Sequence, residues 1–164
     1  MRDRDTEFTG FFQAESEKLR RLAAFLTGDS SGAADLAQEA LVRTYRHWGR
    51  IRNEDPGPYA RRILVNLVRQ QHRRTLLAKR YEQTQAPEHA VNGGRVEDWL
   101  RVTAALKQLP PARRAVVVLR FYEDMTEHDI ATTLDRPLGT VKSDMHRGLA
   151  KLRQLLDDTE KETA

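Results

Sequence analysis

The segment T-E-H-D-I-A-T-T-L-D-R-P-L-G-T-V-K-S-D-M, residues 126–145, carries the arithmetic of a helix-turn-helix: a short helix, a turn, then a longer basic helix. Thr126 is placed to cap the first helix, with Glu127 and Asp129 in its opening turn, where carboxylates suit the positive end of the helix dipole. Ile130, Ala131 and Leu134 face inward. Ala131 is small where two helices would cross, and Ile130, Leu134 and Val141 form an apolar wedge that would fix their angle. Asp135 stands where the turn wants a positive φ, which Asp tolerates better than most residues. The second helix is expected to open at Thr140, with Val141, Met145, Leu149, Leu152 and Leu156 on one stripe and Lys142, Arg147 and Lys151 on other faces.

Upstream, Val96, Leu100, Val102, Thr103, Leu106 and Leu109 predict a helix that stops at Pro110-Pro111. The run Ala115 to Tyr122 is rich in β-branched residues that favour a strand locally. It is assigned to a helix, because no partner strand is visible and Pro111 suits a first helical position. Residues 84–95, T-Q-A-P-E-H-A-V-N-G-G-R, show no apolar period and contain Pro and Gly-Gly, so residues 81–95 read as a flexible linker between two domains.

In the N-terminal half, Phe8, Phe11, Phe12, Leu19, Leu22, Phe25 and Leu26 repeat at helical spacing until Thr27-Gly28-Asp29. Ser30 or Ser31 is expected to cap a second helix carrying Leu36, Ala37, Ala40, Leu41, Tyr45 and Trp48 on one stripe and ending near Gly49. Asn53 to Pro58 is expected to be a loop. A third helix opens at Pro58 with Tyr59, Ile63, Leu67 and Gln70-Gln71 inward, while Arg62, Asn66, Arg69 and Arg73 line one other side.

Charge is segregated along the chain. Residues 61–80 hold seven basic groups and no acid, and residues 137–156 sum to +3, within a total of only +4. Such islands suit phosphate, because neutralising it releases condensed counterions. With 164 residues, 39% hydrophobic and 32% charged, the chain is too polar for a membrane protein and too apolar for a disordered one. No apolar run exceeds five residues, which excludes a spanning helix or signal-peptide core and predicts a cytoplasmic protein without membrane insertion. The absence of cysteine removes thiolate catalysis and cysteine-ligated zinc.

Three ordered segments carry a resemblance: Asp35-Leu36-Ala37-Gln38-Glu39-Ala40 with Tyr45 and Trp48; the helix Pro58 to Leu67; and Gly139-Thr140-Val141-Lys142-Ser143 with His146-Arg147. Together they resemble the sigma-70 family of bacterial RNA polymerase initiation factors, in its small extracytoplasmic-function (ECF) group. The resemblance spans nearly the whole chain. It implies an all-α protein of two small helical domains, sigma region 2 over residues 8–80 and the sigma region 4 helix-turn-helix over 96–156, joined by the flexible linker.

The resemblance implies partners and roles as well. Core RNA polymerase would be engaged through its β′ clamp and β flap, with Asp35, Gln38 and Glu39 as the clamp contacts. Arg50, Arg52, Asn53, Arg62, Asn66, Arg69 and Arg73 would read the minus-10 element as melted single strand, which needs a basic track with hydrogen-bonding groups for extruded bases. Tyr45 and Trp48 could stack on an unpaired base, although their place on the apolar stripe favours core packing. Thr140 to Arg147 would enter the major groove of the minus-35 element, with Lys142 and Arg147 on phosphate and Ser143, Asp144 and His146 at base edges. Two residues depart from the family pattern, Arg136 in the turn and Asp144. An acid at 144 either accepts a hydrogen bond from cytosine N4 or is held by a neighbour such as Arg147 or Arg136. An anti-sigma factor is a further partner the resemblance allows.

Nothing in the sequence frames a catalytic site. His47, His72, His89, His128 and His146 show no metal-binding spacing, and no nucleophile elbow or Gly-rich phosphate loop is present, so neither cofactor nor metal is expected. A nuclease would need clustered carboxylates for magnesium, whereas these acids are scattered or cap helices. The alternative of a free-standing helix-turn-helix regulator needs a sensing pocket or dimer face in the N-terminal half, and residues 61–80 are too basic for either.

Overall fold

A computed structural model describes residues 3–78 and 94–163, the side chains of 94–96 and 163 excepted. The described residues form eight helices and no strand. Their contacts define two units, one of residues 3–23 and 30–78 and one of residues 24–29 and 94–163.

In the first unit, α1 (Arg4–Thr27) contributes its residues up to Ala23, and α2 (Ala33–Arg46) packs along α4 (Pro56–Ala78). Leu19, Leu22, Ala37, Ala40, Leu41, Leu64 and Leu67 are buried between them. Ala37, Ala40 and Leu41 of the α2 stripe are therefore buried, as its spacing predicts. Trp48 is buried edge-on against Phe8, ring centroids 5.1 Å apart, and Phe8 lies 4.8 Å from Tyr45. Tyr45 donates its hydroxyl to the Asp5 carboxylate at 2.6 Å, which raises the phenol pKa. Both aromatics belong to the core and its edge.

Four local expectations in this unit are corrected. Gly32, not Ser30 or Ser31, is the N-cap of α2, at φ +74°, a left-handed conformation that glycine adopts without steric cost. The helix ends at Arg46, because His47 leaves helical geometry, and Trp48 opens a separate short helix α3 (Trp48–Ile51). Helix α4 begins at Pro56, two residues early: Asp55 accepts the Gly57 N–H at 3.1 Å, and prolines in a first turn sacrifice no intrahelical bond. Its buried row is Ala60, Leu64 and Leu67, with Tyr59 and Ile63 half-buried and Gln70 and Gln71 exposed. The apolar row continues through Leu67 without the amides.

The second unit consists of residues 24–29, α5 (Gly94–Lys107), α6 (Pro111–Phe121), α7 (Glu127–Leu134) and α8 (Leu138–Thr163). The β-branched run is helical because Val116, Val117, Val118 and Leu119 are all buried, so tertiary packing overrides the local strand preference. Gly94 and Arg95 already belong to α5, and the rest of the 81–95 segment lies outside the described residues.

Arg114 organises this unit. Its side chain is buried, and Nε donates to Leu106 O at 2.7 Å, Nη2 to Lys107 O and Leu109 O, and Nη1 to Leu26 O and Thr27 O. Four of these carbonyls lie at the C-terminal ends of α1 and α5, where the dipole is negative and intrahelical partners run out, and Leu109 O lies in the turn after α5. Burial lowers the pKa of the guanidinium from its ordinary value, yet its fork of donors is matched by five carbonyl oxygens.

Candidate nucleic-acid and polymerase interfaces

Asp35, Gln38 and Glu39 follow an i, i+3, i+4 spacing and so share one face of α2, opposite the buried Ala37, Ala40 and Leu41. Asp35 and Gln38 are exposed, while Glu39 accepts from Arg43 Nε at 2.7 Å. Val42, one turn further along the face, is 40% exposed. The patch is acidic with an apolar margin, a combination that suits a protein partner better than phosphate.

Along α4, which carries five arginines and no acid, the sign reverses. Arg50, Asn53, Arg62, Asn66 and Arg73 are exposed and Arg69 is half-buried, so the α4 row expected from the sequence stands on the solvent side of that helix. Arg52 is exposed and pairs with Glu7 at 3.2 Å.

A groove between α2 and α4 had no counterpart in the sequence reading. Polar side chains of Arg43, Arg46, His47, Tyr59, Asn66 and Gln70 line it beside Ile63, and of these only Asn66 is a site candidate from the sequence. The His47 and Tyr59 rings stand 6.0 Å apart. His47 Nδ1 lies 3.0 Å from the Arg43 carbonyl, which can only accept, so Nδ1 donates to it. Flat rings, amides that donate and accept, and guanidinium groups are what an extruded base and its phosphate require. The only signal in the sequence was the basic end of α2, and its relation to α4 is tertiary.

In the second unit, Thr126 accepts from Asp129 N at 3.1 Å and caps α7. Asp135 closes that helix at φ +51°, as the turn requires. Ile130, Leu134, Val141 and Met145 are buried, while Thr140, Lys142, Ser143, His146 and Arg147 are exposed on α8. Helix α8 opens at Leu138, with Val141 N bonded to Pro137 O at 3.1 Å, so Gly139 and Thr140 already lie in its first turn. The Ser143 hydroxyl donates to Gly139 O at 3.0 Å, which leaves its lone pairs as acceptors.

Asp144, a base-edge candidate from the sequence, is tethered within its own unit. Its side chain is only 13% exposed, Arg136 Nη2 donates to its Oδ2, and Arg113 Nε lies 3.5 Å from its Oδ1. Of the two readings open from the sequence, the geometry matches the neighbour-held carboxylate. Among the described residues no group of three His, Asp or Glu side chains could hold a metal ion, and no helix is long and apolar enough to cross a membrane.

Comparison with known proteins covers both units. The family model described as Sigma-70 region 2 matches residues 11–76, and that described as Sigma-70, region 4 matches residues 99–152. The chain is 36% identical over 154 residues to the RNA polymerase sigma-E factor of Streptomyces avermitilis, covering 92% of this chain and 86% of that protein. It is 31% identical over 151 residues to the ECF RNA polymerase sigma factor SigL of Mycobacterium tuberculosis, covering 85% and 83%. In fold it is similar to the sigma factor RpoE of Bartonella quintana, solved with the anti-sigma factor NepR, at TM-score 0.76 and 21% identity over 92% of this chain and 96% of that one. It is similar also to CnrH, solved with the cytosolic domain of CnrY, at TM-score 0.62 and 21% identity over 92% and 88%.

Proposed function

The chain belongs to the ECF group of the sigma-70 family, and from that membership we propose how its surfaces share the work of a sigma factor. As such a factor it binds core RNA polymerase and directs promoter-specific initiation through the minus-10 and minus-35 elements. We assign region 2 to residues 8–80, the linker to 81–95 and region 4 to 96–156. Asp35, Gln38 and Glu39 dock on the polymerase clamp, and region 4 meets the flap. The 50–53 corner, the α4 row and the groove beside it hold the melted minus-10 strand. Thr140, Lys142, Ser143, His146 and Arg147 enter the duplex minus-35 element.

The observation that carries this division is the first half of α8. Five polar side chains stand exposed on one side of a helix whose other side, Val141 and Met145, is buried against its own unit. The protein works by binding energy alone, in the cytoplasm where polymerase and promoter lie. An anti-sigma factor is proposed as a further partner, the kind of protein that accompanies RpoE in its solved structure. Reconstitution with core polymerase on genomic fragments tests the reading. Defined start sites dependent on this chain are expected, and starts no different from those of core enzyme alone would refute it.

A further inference from the structure

Arg136 touches three helices of the second unit from a turn. Its backbone N–H donates to Ala131 O on α7 at 2.9 Å, its Nη1 to Ala112 O on α6 at 3.4 Å, and its Nη2 to Asp144 on α8. Asp144 in turn receives a second guanidinium, that of Arg113 on α6. One carboxylate thus joins the turn, the supporting helix and the helix that carries the exposed reading residues. It sits beside Ser143 and two positions before His146.

Two physical consequences follow. Two guanidinium groups on one carboxylate leave the cluster with a net charge of +1, so an acid on a DNA-facing helix does not repel phosphate. A partly buried, charge-assisted contact also restrains its partners far more than an exposed ion pair does. Discrimination by a helix-turn-helix depends on the angle at which its second helix meets the groove.

We propose that Asp144 is a positioning residue for duplex reading: through Arg136 and Arg113 it fixes α8 against α6 and the turn, and so sets how Ser143 and His146 meet base edges. It touches no base itself. The proposal rests on the assignment of α8 to the minus-35 element.

The test uses holoenzyme assembled with the full chain and duplex promoters that it selects from a pool randomised at minus 35. Affinities for the selected element and its single substitutions are measured at several salt concentrations for Asp144→Asn, Arg136→Gln, their double variant, Arg136→Lys and Lys142→Ala. Each of the two neutralised variants should lose about tenfold in discrimination, spread over several base pairs, and the double variant should lose no more than either. Asp144→Asn should also steepen the salt dependence by about one ion, because a released arginine becomes available to phosphate, while Arg136→Gln should not. Arg136→Lys should recover part of the discrimination. Thermal unfolding of each variant shows whether the loss occurs in folded protein. If Asp144→Asn unfolds the unit, the contrast between Arg136→Gln and Arg136→Lys decides, and equal loss in both overturns the proposal. Loss confined to one base pair in Asp144→Asn with Arg136→Gln unchanged, additive losses in the double variant, or a uniform gain of affinity with discrimination intact would each overturn it. Lys142→Ala reports on the underlying assignment: it should weaken every sequence alike, and no change there would refute the placement of α8 on duplex DNA.

Discussion

Gly148 of α8 lies so close to Val117 of α6 that a Cβ built on it would stand 2.8 Å from Val117 Cγ2. The contact between these two helices is the mainstay of the second unit, and it admits no side chain at this point. Gly139, in the first turn of the same helix, has nothing within 4 Å of the corresponding position. Alanine in place of a helical glycine gains about 1 kcal/mol in propensity, but forcing a methyl into a packed site costs about 1–3 kcal/mol. Gly148→Ala should therefore lower stability by about 1 kcal/mol and Gly139→Ala should not lower it. Urea unfolding of the two variants checks the opposite signs.

Arg114 should be indispensable to folding of the unit it occupies. Replacing it with Met keeps the bulk of the side chain but removes five hydrogen bonds to carbonyl oxygens, a loss of about 3 kcal/mol or more by the scale of buried charged groups. Arg114→Lys should recover little, since three donors on one nitrogen cannot span the same fork. Thermal unfolding followed by circular dichroism distinguishes this from a solvated arginine, whose replacement would be silent.

Charge reversal at Asp35 and Glu39 should weaken association with core polymerase by about tenfold or more, because like charges across an interface are strongly disfavoured, while helical content stays unchanged. Titration of labelled core enzyme measures this directly. Unaltered affinity would move the docking face elsewhere.

Arg69→Ala with Arg73→Ala should impair open-complex formation more on fully duplex promoters than on templates already melted around minus 10, since part of the work of these residues is capture of the extruded strand. The yield of heparin-resistant, initiation-competent complexes, compared on the two templates, reads out the difference. Equal loss on both would make the row a general electrostatic contact.

Most of the second unit was legible because its instructions are local. Thr126 caps through its own side chain, Asp135 supplies the left-handed turn, and the period of Ile130, Leu134, Val141 and Met145 marks the buried side. Arg114 was not legible: in P-A-R-R-A it looks like any solvated basic residue, and two of its acceptors, Leu26 O and Thr27 O, lie 88 and 87 residues away in the chain. The α2–α4 groove was missed for the same reason, since Arg46, His47 and Gln70 become neighbours only once the two helices pack. Asp144 was legible as an anomaly, and only the fold could show which of its neighbours holds it. The caps of α2 and α4 were misplaced by a residue or two because Gly32 and Asp55 compete with equally plausible serines and prolines nearby.

The central claim is that two surfaces of this chain meet two different forms of promoter DNA, and site-specific photocrosslinking tests it most directly. A photoreactive residue placed at Gln70 in one holoenzyme and at Ser143 in another, each on the same duplex promoter, allows the crosslinked bases to be mapped. Position 70 should mark single-stranded bases of the minus-10 element only after melting, and position 143 should mark the minus-35 duplex before and after it. Crosslinks from position 70 to intact duplex, or from position 143 to the melted strand, would contradict the division of labour.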